Sequence, residues 1–419
     1  GSNNCAFGRS ALGFTTTASN NSAFGHNALN QNTTGASNVA VGANALDANT
    51  TASFNVGVGF SSLGANTTGD RNVALGYEAM FTNTVGDRSV AIGMQALYSQ
   101  NPTSNADMNN IAIGHASAFS TTTGINNIAV GTSALFANTT GVENVAVGVS
   151  GLAANTTGGD NVAIGVEALT TNTTGSDNVA VGKAALKLST TASNNTAVGK
   201  AALAANTTGA SNVAVGVSAL TANTTGSSNV AVGNSALVSV TTGQFNSACG
   251  LSAGEQVTTG SNNLLLGLNS GRSSSPSGAI TTGSNQVCLG NNSITDLFCK
   301  VSTIQTSDLR DKTDVNDFKF GLSWVEKLRP ITYRWDMRSN YKDGIPDGSK
   351  KEEKLHLGFI AQEALEVEKQ HGFGNNKNDM LLVNENNDGN YGMHYDRLVP
   401  ILVNAIKELS AKVTALEAG

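Results

Sequence analysis

A phrase close to Asn-Val-Ala-Val-Gly recurs from residue 4 to residue 290, and its closing glycines stand at 25, 42, 59, 76 and 93, each step being 17 residues. This period constrains the fold more than any other feature. A unit so short cannot bury an apolar face alone, so successive units have to stack and share one continuous core. The step lengthens to 21 between Gly93 and Gly114, returns to 17 through Gly267 and reaches 23 before Gly290, so two coils are expected to carry loops.

Each unit offers two short segments. In the first, Val39 and Val41 alternate with Ala40, the period-2 pattern of a strand with one larger and one smaller face. In the second, seen at Ala43-Asn-Ala-Leu-Asp-Ala-Asn-Thr-Thr, a single leucine such as Leu46 or Leu220 supplies an apolar anchor. The Asn-Thr-Thr-Gly stretches have turn chemistry, because Asn can bond its own backbone and Gly tolerates positive φ. Asn38, Asn55, Asn72, Asn178 and their equivalents are expected to form an asparagine ladder that satisfies backbone groups between coils. The Thr-Thr row sits at a turn, which argues against a role on ice.

Composition agrees with an array. The chain has 419 residues, 47 of them glycine and 5 proline, and only 13% are charged, about half the usual share of a soluble domain. With 39% apolar residues at fixed spacing, a core can still form. A net charge of −6 spread over this length offers no basic stripe for nucleic acid. The apolar stretches fall far short of the roughly 20 residues needed to cross a bilayer, so no membrane insertion is expected. Gly1 to Asn4 already lie inside a repeat, which suggests a piece of a longer chain.

Cys5, Cys249, Cys288 and Cys299 share no metal-ligand spacing; the first three fall at apolar repeat positions, and all four are read as core residues. His26, His115, His356, His371 and His394 are scattered. No metal site and no cofactor are expected.

After Ser273-Ser-Ser-Pro-Ser-Gly the register loosens, and from about Ser307 charged and aromatic residues take over, including Trp324 and Trp335. The expected organisation is a β-repeat head or shaft over 1–272, a last repeat and neck over 273–306, and a separate domain over 307–419. In that domain Phe320 to Leu328 reads as a short helix and Ile331-Thr-Tyr-Arg-Trp as a strand. Leu355 to Glu363 reads as a strand running into a helix, giving an α+β pattern. Near the end, Val399, Leu402, Ile406, Leu409, Val413 and Leu416 recur in steps of three and four, either the seam of a trimer coiled coil or one face of an ordinary amphipathic core helix.

Two resemblances follow from these motifs. Residues 1 to 290 resemble the heads of YadA-like trimeric adhesins, which implies a left-handed parallel β-roll; the longer period here is expected to enlarge the Asn-Thr-Thr-Gly turn. Four blocks resemble the endosialidase-type intramolecular chaperone domain that ends phage tail spikes and fibres: Ser307-Asp-Leu-Arg-Asp-Lys, Leu328-Arg-Pro-Ile-Thr-Tyr-Arg-Trp, Gly358-Phe-Ile-Ala-Gln-Glu, and Tyr395-Asp-Arg-Leu-Val-Pro-Ile-Leu-Val-Asn-Ala-Ile-Lys-Glu-Leu. Such domains assemble as trimers and release themselves by self-cleavage through a serine and lysine dyad.

The resemblance makes Ser307 the nucleophile and Lys312 its general base, with the cut at one of the two peptide bonds beside Ser307, the bond to Asp308 being favoured. On the residues alone, Ser-Asp-Leu-Arg would be a helix cap and a solvated charge run. A lysine base has to lose its proton near neutrality, which costs about 4 kcal/mol relative to its ordinary pKa of about 10.4. Burial on trimer packing and repulsion from Arg310 would supply that. Asp311 stands where the family often has Leu, and its carboxylate would favour charged lysine and slow the cut.

The whole is thus expected to be a mainly β protein: a trimeric parallel β-roll or solenoid followed by a small α+β chaperone domain ending in a coiled-coil helix. As a function, the resemblance implies a virion tail fibre or spike that attaches to a host-surface glycan or protein receptor. A trimeric adhesin head on a bacterial cell surface, with a trimerisation cap and no proteolysis, is the alternative; its membrane strands are not seen at this C-terminus. Glycan hydrolysis by the array needs paired carboxylates, and the acids Asp70, Glu78, Asp87, Glu143, Asp160 and Glu167 show no repeated pairing.

Overall fold

The computed structural model describes residues 1–294, 312–338, 341, 344–386 and 389–419. It contains two compact units, residues 1–270 with 281–289, and residues 271–280 with 290–419.

The first unit is a β-solenoid. Every coil contributes one three-residue strand, such as Val39–Val41, and the strands form a single parallel sheet of 17 strands with neighbours in chain order. Register follows the repeat: Ala40 pairs with Ala23 on one side and Gly57 on the other. At about 4.8 Å per strand the sheet is roughly 75–80 Å long.

The central residue of each strand points inward. Ala23, Ala40, Ala74, Ala91 and their equivalents are fully buried, while Val39 and Val41 on either side are 36% and 38% exposed. The facing wall supplies the expected leucines, with Leu29, Leu46 and Leu63 fully buried. The two walls lie so close that a methyl group added at Gly57 would meet the Leu46 side chain at 3.2 Å. The interior therefore accepts alanine beneath the strand, and the β-branched residues face outward.

That thin interior corrects the reading of the cysteines. Cys5 and Cys249 occupy the outward strand positions and are exposed; Cys288 holds the inward position and is buried. Cys299 lies outside the described residues.

The asparagine ladder is present. The backbone N–H of Asn55 donates to Asn38 Oδ1 at 2.9 Å, and that of Asn72 to Asn55 Oδ1 at 2.8 Å. A second buried row, Asn32, Asn49, Asn66 and Asn83, runs through the Asn-Thr-Thr turns. Asn66 Nδ2 donates both to Asn49 Oδ1 and to the Gly69 carbonyl of its own turn, and Asn55 Nδ2 reaches that same carbonyl at 2.9 Å. Beside it the Thr50 hydroxyl donates to the carbonyl of Thr67 one coil on. Backbone carbonyls that no strand could pair are satisfied in this way.

The second segment of each coil is locally strained. Asn44 and Leu46 both adopt left-handed backbone, with φ of 57° and 51°, and the pattern repeats along the array. For leucine that conformation costs roughly 1–2 kcal/mol, so a lone coil is unfavourable and only stacking holds it. Gly42, with φ of 133°, closes the strand where a Cβ would lie 2.5 Å from the carbonyl oxygen of Gly59. The longer coil after Gly93 adds a short parallel pair, Gly86–Asp87 with Ala106–Asp107.

The second unit is α+β. Helix α1 covers Leu322–Val325, shorter than the expected Phe320 to Leu328. The strand Ile331–Tyr333 pairs antiparallel with His356–Gly358, which runs into helix α2, Ala361–Gln370. A second antiparallel pair, Val383–Glu385 with Tyr391–Met393, precedes helix α3, Leu398–Glu417.

Candidate functional site

The C-terminal unit is organised around Trp324, which is fully buried among Ala364, Leu365, Leu382 and Ile401. The His371 ring stacks on it with centroids 4.8 Å apart, held by a 2.7 Å contact between His371 Nδ1 and the Val367 carbonyl.

Three blocks singled out in the sequence are tied together by polar contacts. Arg329 donates to both carboxylate oxygens of Glu363, at 3.1 and 2.5 Å, joining the second block to the third; this pairing holds the Glu363 carboxyl below its usual range. The Phe359 N–H donates to the Tyr395 hydroxyl at 3.2 Å, joining the third to the fourth. A Cβ at Gly358 would stand 2.4 Å from the Tyr395 oxygen, so a larger residue there would have to displace that hydroxyl.

A buried carboxylate fixes the segment before α3. Glu368 is fully buried on α2 and accepts the backbone N–H groups of Leu381, Leu382 and Val383 at 2.9, 2.5 and 2.9 Å. Sequence reasoning missed it, since nothing in Glu-Val-Glu-Lys distinguishes an inward glutamate from its solvated neighbours. Close by, burial, with Arg397 adding to it, pushes the His394 imidazole below its ordinary pKa.

Helix α3 has two apolar faces. Leu398, Ile401 and Ala405 are buried in the unit; Asn404 Nδ2 donates to the Phe318 carbonyl and Glu408 accepts the Leu322 N–H at 3.0 Å. The other face is the seam read from the sequence. Val399, Leu402, Ile406, Leu409, Val413 and Leu416 are 43–81% exposed. An ordinary core helix accounts for the first face; the second is exposed.

Of the residues assigned to self-cleavage, Lys312 is exposed, whereas Ser307 and Asp308, like Arg310 and Asp311, lie outside the described residues. A further feature went unnoticed in the sequence: the outward strand residues make a continuous apolar face along the solenoid, including Val41, Ile92, Ile113, Ile164, Val215 and Leu266, each about two-fifths exposed. The signal was there, since the middle strand position is almost always alanine while both flanking positions are mostly Val, Ile or Leu.

A β-solenoid followed by a small α+β unit with a partly unpartnered terminal helix defines the class of the molecule. Residues 307–373 match the family described as chaperone of endosialidase, and the C-terminal region is a domain of that type. The match takes in the first three sequence blocks and stops before the fourth. No curated protein and no solved structure matches the chain.

Proposed function

We propose that this chain is a tail-fibre or tail-spike protein of a phage virion that contributes to host attachment. In this reading residues 307–419 chaperone the folding of a trimeric β-solenoid, and a cut between Ser307 and Asp308, with Ser307 as nucleophile and Lys312 as general base, then releases residues 308–419. The carrying observation is the union in one chain of a 17-strand parallel solenoid with a chaperone-of-endosialidase domain.

The physics of the array supports a chaperone. Most coils contain a left-handed leucine, so local preference opposes the native turn, and the first coils gain nothing until neighbours are in place. Such arrays nucleate slowly and expose apolar edges meanwhile. A domain that folds first and holds three chains level removes the search for register.

Two exposed apolar surfaces support a homotrimer: the outer seam of α3 and the outward face of the sheet. Exposed apolar faces of this extent mark interaction surfaces. Lys312 is exposed in the single chain, and packing of three chains would bury it, which gates the cut on assembly. The receptor is a host-surface glycan or protein. An uncleaved adhesin head with a C-terminal trimerisation cap is the second reading, favoured only if no cut occurs.

Denaturing mass spectrometry of freshly purified protein beside a Ser307→Ala variant tests this. Two fragments meeting at Ser307 in the parent, absent from the variant, are expected. An intact parent mass sinks the peptidase assignment and leaves the cap.

A further inference from the structure

At several levels the two flanks of the solenoid sheet carry complementary residues. One flank is formed by the residue two places before each strand, which has left-handed backbone, and the other by the residue two places after it. At most levels the first is Asn, Ser or Asp, the types that tolerate this backbone. Arg71, Arg88 and Glu143 depart from that rule, as do Phe54 and Phe245, the two large apolar residues, with φ of 62° and 59° and exposures of 56% and 59%. Such a strained phenylalanine keeps more than half of its surface exposed within one chain.

Across the strand from Phe54 stands Phe60, 47% exposed, and across from Phe245 stands Leu251, 53% exposed. On the next level Arg71 lies opposite Tyr77. Within the chain Arg71 covers the Phe54 ring at 5.8 Å, and Phe60 stacks on Tyr77 at 5.5 Å, so the same two coils present a cation-capped aromatic patch on one flank and a stacked aromatic pair on the other. Further along, Asp177 faces Lys183 across the strand Val179–Val181. From the strand Cys5–Phe7 to the strand Leu264–Leu266, no level carries like charges on both flanks.

Within one chain the three-residue strand lies between each pair of partners and places them on opposite flanks of the sheet. They can meet between copies. Three sheets turned toward a common axis form a triangular prism in which the front flank of one abuts the rear flank of the next. Closed threefold symmetry allows no accumulating axial shift, so matching levels are brought together.

We infer that the sheet flanks are the contact lines between copies, with Phe54 on Phe60, Arg71 on Tyr77, Asp177 on Lys183 and Phe245 on Leu251 of the neighbouring chain. This rests on the trimer proposed above and adds its geometry.

The test is disulfide trapping in the full chain with Cys5, Cys249 and Cys299 changed to Ser. One variant carries Asp177→Cys with Lys183→Cys, a second Phe245→Cys with Leu251→Cys, and an off-level control Asp160→Cys with Lys183→Cys; every introduced cysteine is at an exposed position. Native mass spectrometry reads the oligomer and a non-reducing denaturing gel reads the links. Because a disulfide needs Cβ atoms about 3.5–4.5 Å apart, the on-level pairs should link chains at least about tenfold more than the control. A trimer in which neither on-level pair links, or in which the control links best, overturns the flank pairing and leaves the trimer standing. A single-chain mass overturns both.

Discussion

Asn172 and Ser189 occupy the same rung position on adjacent coils, fully buried, and neither Asn172 Oδ1 nor the Ser189 hydroxyl has a hydrogen-bond partner. One coil earlier the ladder is intact, with Asn172 Nδ2 donating to Asn155 Oδ1 at 2.9 Å. One coil later Asn206 Nδ2 retains only its own turn, the Gly209 carbonyl. Serine is too short to bridge the gap.

Restoring the rung should therefore stabilise the solenoid. Ser189→Asn places an amide that can donate to Asn172 Oδ1 and to the Ala192 carbonyl while accepting from Asn206. A gain of about 1 kcal/mol is expected, read as a higher thermal midpoint of the array; an unchanged or lower midpoint refutes the account.

Glu368 predicts the opposite outcome in the C-terminal unit. Glu368→Gln keeps the shape but offers one acceptor oxygen to three buried N–H groups and turns an NH2 toward one of them. The loss should be about 3 kcal/mol or more. Urea unfolding followed by the fluorescence of buried Trp324 reads it, and a loss below about 1 kcal/mol would show that the segment 381–383 is held by other contacts.

Acid should weaken the same unit. Burial lowers the folded-state pKa of His394 from 6.5, with Arg397 acting in the same direction and Asp396 and Glu368 opposing. The folded state thus binds fewer protons than the unfolded one, so this stability is fully present above the unfolded pKa near 6.5. It is lost as pH falls through that value toward the folded pKa. His394→Gln should flatten the slope between pH 7 and 5; an unaltered slope assigns the effect elsewhere.

The two faces of α3 separate folding from assembly. Ile401→Asp buries an unpaired charge and should unfold the unit, since Ile401 is 3% exposed. Ile406→Asp lies on the open seam, 67% exposed, and should leave the single-chain unit folded while raising the trimer dissociation constant by at least about tenfold. Equal effects on folding would mean that the seam is not an intermolecular surface.

The solenoid, its strand register, the Asn38 and Asn55 ladder and the buried leucines follow from the 17-residue period, because stacking identical coils leaves one pairing that superposes every repeat. The blocks around Arg329, Gly358 and Tyr395 were legible as a domain of known type for a similar reason: contacts that close a small unit require particular residues at fixed places. The inward side of the strand was not legible from alternation, which is symmetric between faces. Only the 3.2 Å clearance beneath Gly57 decides that alanine goes in and valine out, and with it that Cys5 and Cys249 are surface residues. Likewise the heptad at the end of the chain could be core or seam on spacing alone. Tertiary structure separates two faces, docking Leu398, Ile401 and Ala405 and leaving Leu402 and Ile406 exposed, since a helix long enough to carry two apolar stripes can bury only one against its own domain.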